Sequence, residues 1–131
     1  MNEIAAPRLK TIRQIRAAGF SPQNCPVRDV LAKLGGKWST LIVMALAERP
    51  HRFGELRRAL ADISQRMLSG TLRELQRDGL VSRRVFPTKP PSVEYALTDL
   101  GRTLRPILAL LCSWGGSYAD RVFELREERV A

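Results

Sequence analysis

The chain has little of what most enzymes and secreted scaffolds require. In 131 residues it has one histidine, His51, and two cysteines, Cys25 and Cys112. Two cysteines are too few for a disulfide framework, and they lack the spacing of a metal site. No carboxylate pair stands out as an acid–base couple, and no glycine-rich loop is placed to cradle a phosphate. Neither an enzymatic role nor a cofactor or metal is expected. Apolar runs are short, and none reaches the ~18–20 residues that a membrane-spanning helix needs. The N-terminus lacks the charged-then-apolar pattern of a secretory signal, so a cytoplasmic location is expected. Internal repeats and low-complexity tracts are also missing. Apolar residues make up 44% of the chain, enough to bury the core of one compact domain.

Positive charge is what the chain has in excess. The formal net charge is +9, which predicts attraction to polyanions. Residues 52–89 hold nine Lys or Arg against four acids, whereas residues 90–131 come out at −1. The basic charge is thus concentrated in the middle third and the N-terminal arm. Charge alone fits DNA, RNA, an acidic membrane face or a merely solvated surface, so the pattern along the chain must decide.

Residues 1–24 read as an extension with a basic amphipathic helix over Pro7 to Ala18, broken by Gly19-Phe20-Ser21-Pro22. A first core helix is predicted from Pro26 to Leu34, with proline at its first position and Gly35-Gly36 at its end. A second, Lys37 to Glu48, is apolar almost all round, which suits the centre of a domain. Pro50 stops it. Phe53 to Leu60 then forms a short helix, and Ser64 caps another from Gln65 to Arg77 that ends at Asp78-Gly79. The periodicity switches to alternation around Val81 and Val85 and around Val93, Tyr95 and Leu97, which marks two strands. Between them, Pro87-Thr88-Lys89-Pro90-Pro91 makes a stiff cationic tip. A long helix is predicted from Asp99 to Tyr118 or beyond, kinked at Pro106, followed by a charged tail over 119–131.

Helix, turn, helix and hairpin in that order make a winged helix-turn-helix within residues 25–118, an α+β fold that is predominantly helical with flanking dimerisation helices. On the helix from Gln65 to Arg77, leucines pin one face to the core. The other carries Gln65, Arg66, Ser69, Gly70 and Arg73, next to the N-cap Ser64. Arg can bridge guanine, Gln adenine, and Ser either, and residues near the N-terminus of such a helix reach deepest into the major groove. A glycine inside a helix costs about 1 kcal/mol relative to alanine, so Gly70 implies a close approach by a partner or by a packed helix. In the wing over 86–92 and its base, Arg83, Arg84 and Lys89 are placed for phosphates or the minor groove, contacts that position without reading sequence. The last helix presents more apolar surface than one small domain can cover, which marks an interface. A two-fold dimer would hold its two reading helices about 34 Å apart, one turn of DNA.

With these motifs the chain resembles the HxlR-type winged-helix regulators, relatives of the MarR group, from about Cys25 to Gly115. The resemblance is carried by Cys25-Pro26-Val27, Gly35-Gly36-Lys37-Trp38, Arg52-Phe53-Gly54-Glu55-Leu56, Ile63-Ser64-Gln65-Arg66-Met67-Leu68, Leu72-Arg73-Glu74-Leu75, Asp78-Gly79-Leu80-Val81, Val93-Glu94-Tyr95-Ala96-Leu97-Thr98 and Leu100-Gly101. Gly54 often stands as serine in relatives, and the N-terminal extension is longer than in many. The resemblance implies a homodimer in which N-terminal elements and the final helices of two chains intertwine on a palindromic operator in double-stranded DNA. Some members sense electrophiles or oxidants through the cysteine that matches Cys25. At a helix N-terminus with Arg28 nearby, a thiolate there is physically favoured. Cys112, within Leu110-Leu111-Cys112, is expected to be a small buried hydrophobe. Two other readings stay open: a dimeric sensor with a small-molecule effector bound between the long helices and the DNA-binding core, and a nucleic-acid binder without operator specificity.

Overall fold

The computed structural model describes residues 10–21, 23 and 25–130. It divides into two compact units, residues 1–36 and 37–131. The first holds α1 (Ile12–Ala17) and α2 (Pro26–Leu34). The helix predicted over Pro7 to Ala18 is present in its second half, and residues 7–9 and Pro22 lie outside the described residues. Thr11 and Gln14 start α1 reciprocally: Thr11 Oγ1 accepts from the Gln14 amide at 3.1 Å, and Gln14 Oε1 accepts from the Thr11 amide at 2.8 Å. Two donors that a helix start would otherwise leave open are thereby satisfied. α2 begins on Pro26, where a missing N–H costs nothing. It was expected to be a core helix, but none of its residues is buried. Val27, Val30 and Leu31 remain exposed.

The second unit runs α3 (Lys37–Glu48), β1 (His51–Arg52), α4 (Phe53–Leu60), α5 (Gln65–Arg77), β2 (Val81–Phe86), β3 (Ser92–Leu97), α6 (Asp99–Arg102) and α7 (Arg105–Val130). α3 is the hub, packing against α4, α5, β3 and α7. Its Ile42, Val43 and Leu46 meet Leu56 of α4 and Leu68 and Leu72 of α5 in the fully enclosed part of the core. Burying each such side chain is worth about 1.5–3 kcal/mol. These contacts fix α4 and α5 as the helix-turn-helix pair.

The turn between them is tight. Ala61 sits at φ 47° and ψ −61°, and the Asp62 amide donates to the Leu60 carbonyl at 2.5 Å, an i to i+2 bond. This is a γ-turn with positive φ at a non-glycine residue, a rare and strained geometry.

The sheet has three strands in the order β1-β3-β2, all antiparallel. β1 is an addition that two residues of sequence do not announce. It pairs His51 with Tyr95 and Arg52 with Glu94. His51 is 4% exposed, and its Nδ1 donates to the Arg49 carbonyl at 2.7 Å. Its role is to hold the strand edge against the core.

Gly79 ends α5 at φ +78°, in the left-handed region that glycine occupies freely. The Thr98 amide donates to the Leu80 carbonyl at 3.1 Å, and Thr98 Oγ1 donates to the Gly79 carbonyl at 2.5 Å. The start of β2 is thereby tied to the start of α6. Gly101 sits in the same knot, where a Cβ would collide with the Leu80 carbonyl oxygen and lie 3.2 Å from Leu97 Cδ2.

The long final helix differs from the expected kink. α6 stops at Arg102, and the Thr103 and Leu104 amides turn back to the Leu100 and Gly101 carbonyls at 3.1 Å each. α7 restarts at Arg105, so Pro106 is its second residue rather than an interior one. The first amides of a helix have no intrahelical acceptor, so proline fits there without bending the axis. α7 then continues through residues 119–130.

Candidate nucleic-acid interface

α5 is amphipathic in a way that decides its role. Leu68, Thr71, Leu72 and Leu75 are buried, and they hold the helix on α3. Ser64 caps it as predicted, its Oγ accepting from the Met67 amide at 3.0 Å. Thr71 Oγ1 donates to the Met67 carbonyl at 2.8 Å, so this hydroxyl is committed to the helix itself. No acid occupies the first turn, so the positive end of the helix dipole is open to an anion.

At 3.6 residues per turn, the predicted reading residues separate into rows. Arg66, Gly70 and Arg73 point straight away from the core, joined by Arg77. Gln65 and Ser69 share one flank with Gln76, and Met67 and Glu74 share the other. Gln65, Arg66 and Arg73 are exposed; Ser69 and Gly70 are half-buried. A Cβ on Gly70 would meet nothing within 4 Å. Close packing within the chain therefore does not account for this glycine. Beside it lies a half-open depression of about 290 Å³ lined by Ser64, Arg66, Met67, Gly70, Thr71 and Glu74. Met67, Thr71 and Glu74 were not among the residues picked from sequence. Met67 could have been: it is an apolar residue one step off the leucine stripe.

The wing projects from the same unit, with β2 packed on α5. Successive strand residues face opposite ways, and the register pairs Arg83 with buried Tyr95 and Arg84 with Glu94. The two arginines therefore lie on opposite faces of the hairpin and cannot both serve one surface. The Arg84 guanidinium lies 4.9 Å from the Phe86 ring centroid. Lys89 is exposed at the tip, where Thr88 Oγ1 donates to the Pro90 carbonyl at 2.8 Å.

A second cluster of charge ties the segment before α4 to that helix's first turn. Glu55 Oε1 accepts from the Arg52 amide at 3.1 Å, and Arg49 Nη1 donates to Glu55 Oε2 at 2.8 Å. The Arg52 amide, then the Arg49 side chain, hold the Glu55 carboxyl below the usual carboxylate range.

Cys25 is half-buried as the N-cap of α2, with no side-chain capping bond. Cys112 corrects its expectation: it is exposed on α7, its Sγ 3.9 Å from Met44 Sδ. The burial anticipated for it stops at Leu104 and Leu108, the two α7-side leucines that enter the core. Beside and beyond them, Ile107, Leu110, Leu111, Trp114 and Tyr118 remain exposed. Trp114 and Tyr118 stack at 4.8 Å.

The proteins to which the chain is similar include transcriptional regulators. The HxlR-like helix-turn-helix family matches residues 33–123. YdeP of Bacillus subtilis, an uncharacterised HTH-type transcriptional regulator, is 43% identical over 109 residues, 83% of this chain and 85% of its own. The redox regulator HypR in its reduced form superposes with a TM-score of 0.72 at 43% identity, covering 76% of this chain and 98% of that one. The reduced form of the transcriptional regulator YodB from B. subtilis superposes with a TM-score of 0.64 at 33% identity, covering 72% and 90%. The fold is the winged helix-turn-helix expected from sequence, and the relatives are regulators rather than enzymes. The chain is a transcriptional regulator of the HTH type, and it belongs to the HxlR-like helix-turn-helix family.

Proposed function

We propose that the protein binds a palindromic operator as a homodimer, with α5 in the major groove and the wing over 86–92 on the backbone or minor groove. One observation carries this reading. The outer row of α5 offers Arg66 and Arg73 on either side of Gly70, a position open enough for a base pair to approach the helix backbone. Gln65 and Ser69 lie alongside, and the cap Ser64 opens the helix. Arg83, Arg84 and Lys89 supply positive charge on the hairpin, each face with its own arginine. The exposed apolar residues of α7, from Ile107 to Tyr118, supply a surface that a second copy would cover. The protein then acts in the cytoplasm, on residues 25–118, with 1–24 and 119–131 flanking that working part.

Selection from a random DNA pool under reducing conditions tests the reading. Enrichment of an inverted repeat with half-sites about one helical turn apart is expected. Weak binding with a steep salt dependence and no enriched sequence would leave only a generic polyanion surface.

A response to oxidants or electrophiles is favoured by a separate observation. Cys25 makes no side-chain capping bond at a helix start, in a chain that superposes on a redox regulator. On this reading Cys25→Ser binds the operator yet no longer releases it on oxidation. Release that persists in the serine variant would remove Cys25 from the response and turn attention to a small-molecule effector.

A further inference from the structure

We propose that the depression beside Gly70 receives the 5-methyl group of a thymine, with Met67 as the residue that reads it. The inference rests on α5 entering the major groove. Met67 is 49% exposed on a helix whose other apolar side chains are almost wholly enclosed. It is not one of the buried core residues, and it stands in the first turn, the part of a reading helix that goes deepest. Gly70, three residues on, leaves the space next to it empty. Buried Thr71 forms part of the lining, its hydroxyl already bonded to the Met67 carbonyl.

The chemistry of the rim narrows the occupant. Glu74 lines the far side, and its carboxylate repels a phosphate, so the sugar–phosphate backbone is not what fits. Arg66 on the near side attracts the duplex as a whole. An apolar wall between them matches the one apolar group that B-DNA shows in its major groove, the thymine methyl. Methionine suits such a task, because its unbranched thioether adapts to the shape it meets.

The test uses the operator recovered by selection, with each thymine replaced singly by deoxyuridine, which pairs identically but lacks the methyl. One position per half-site is expected to bind the wild-type protein about fourfold more weakly, the value of one buried methyl. Met67→Ala is expected to bind the thymine and deoxyuridine operators equally, and Gly70→Ala to lose most of the difference. Met67 lies outside the buried core, so the variant should still unfold cooperatively with at most a small fall in melting temperature, which reports an intact fold. An operator at which no deoxyuridine matters would overturn the proposal alone, as would a thymine preference undiminished in Met67→Ala. Failure to recover any operator would overturn the sequence-reading function and this inference with it.

Discussion

The same chemical change at two glycines should move stability in opposite directions. At Gly101 an added methyl collides with the Leu80 carbonyl oxygen and presses on Leu97 at 3.2 Å. The Leu80 oxygen is main chain and already accepts from the Thr98 amide, so no side-chain rotation relieves the clash. Overpacking costs about 1–3 kcal/mol, and weakening the Thr98–Leu80 bond adds about 1 kcal/mol. Gly101→Ala should therefore lose about 2–4 kcal/mol, a fall of roughly 10 °C in Tm for a chain this size. At Gly70 the methyl meets open space, and alanine is the better helix former by about 0.8–1.0 kcal/mol. Gly70→Ala should melt a few degrees higher while binding the operator less tightly. Thermal and urea unfolding of both variants at one fixed protein concentration measures this, since the stability of the proposed homodimer would vary with concentration. A Gly101→Ala protein that melts within a degree of wild type would refute the packing argument. A destabilised Gly70→Ala would mean that its outer side is not open.

Other outcomes follow from the same geometry. Ala61→Gly should relieve about 1–2 kcal/mol of positive-φ strain against about 0.4–1 kcal/mol of added unfolded-state freedom, a small net gain readable in urea midpoints. Glu55 is held below the usual carboxylate range by Arg52 and Arg49, so its contribution is present above the unfolded carboxylate pKa and fades as pH falls through the folded one. Glu55→Gln should therefore be less stable than wild type at neutral pH, with the gap closing in acid; a gap constant with pH would refute this. Arg66→Ala should cost about 1–3 kcal/mol and relax base preference, whereas Lys89→Ala should weaken all sequences alike and reduce the salt slope by about one. Competition binding at several salt concentrations separates the two. If the proposed homodimer forms through α7, Trp114→Asp should shift it toward monomer in sedimentation, because Trp114 is 63% exposed in the single chain and stacks on Tyr118.

Most helix boundaries are legible in the sequence because local chemistry sets them. Pro26 opens α2, Pro50 follows α3, Ser64 caps α5, and Gly79 takes the left-handed position after it. Each signal acts over three or four residues and needs no distant partner. The alternation of Val93, Tyr95 and Leu97 likewise announces β3, since one face of a strand repeats every second residue. The same period already implies that Arg83 and Arg84 diverge, and the register with β3 adds which partner each one meets.

Contacts between distant segments decided the rest. β1 exists only because β3 offers it an edge, and two residues carry no periodicity. Gly101 looks like an ordinary helical glycine until Leu80, twenty-one residues earlier in the chain, is brought against it. Cys112 and Leu108 have similar apolar neighbours in sequence, yet the core takes Leu108 and leaves Cys112 outside. The apolar stripe of α2 shows the complementary limit: its 3.6-residue repeat establishes a face that needs cover, but Val27, Val30 and Leu31 on that face are exposed. Local sequence determines where helices begin and which sides are apolar, because backbone bonds and caps are short-range. Which apolar sides meet depends on long-range packing, and that belongs to the tertiary structure.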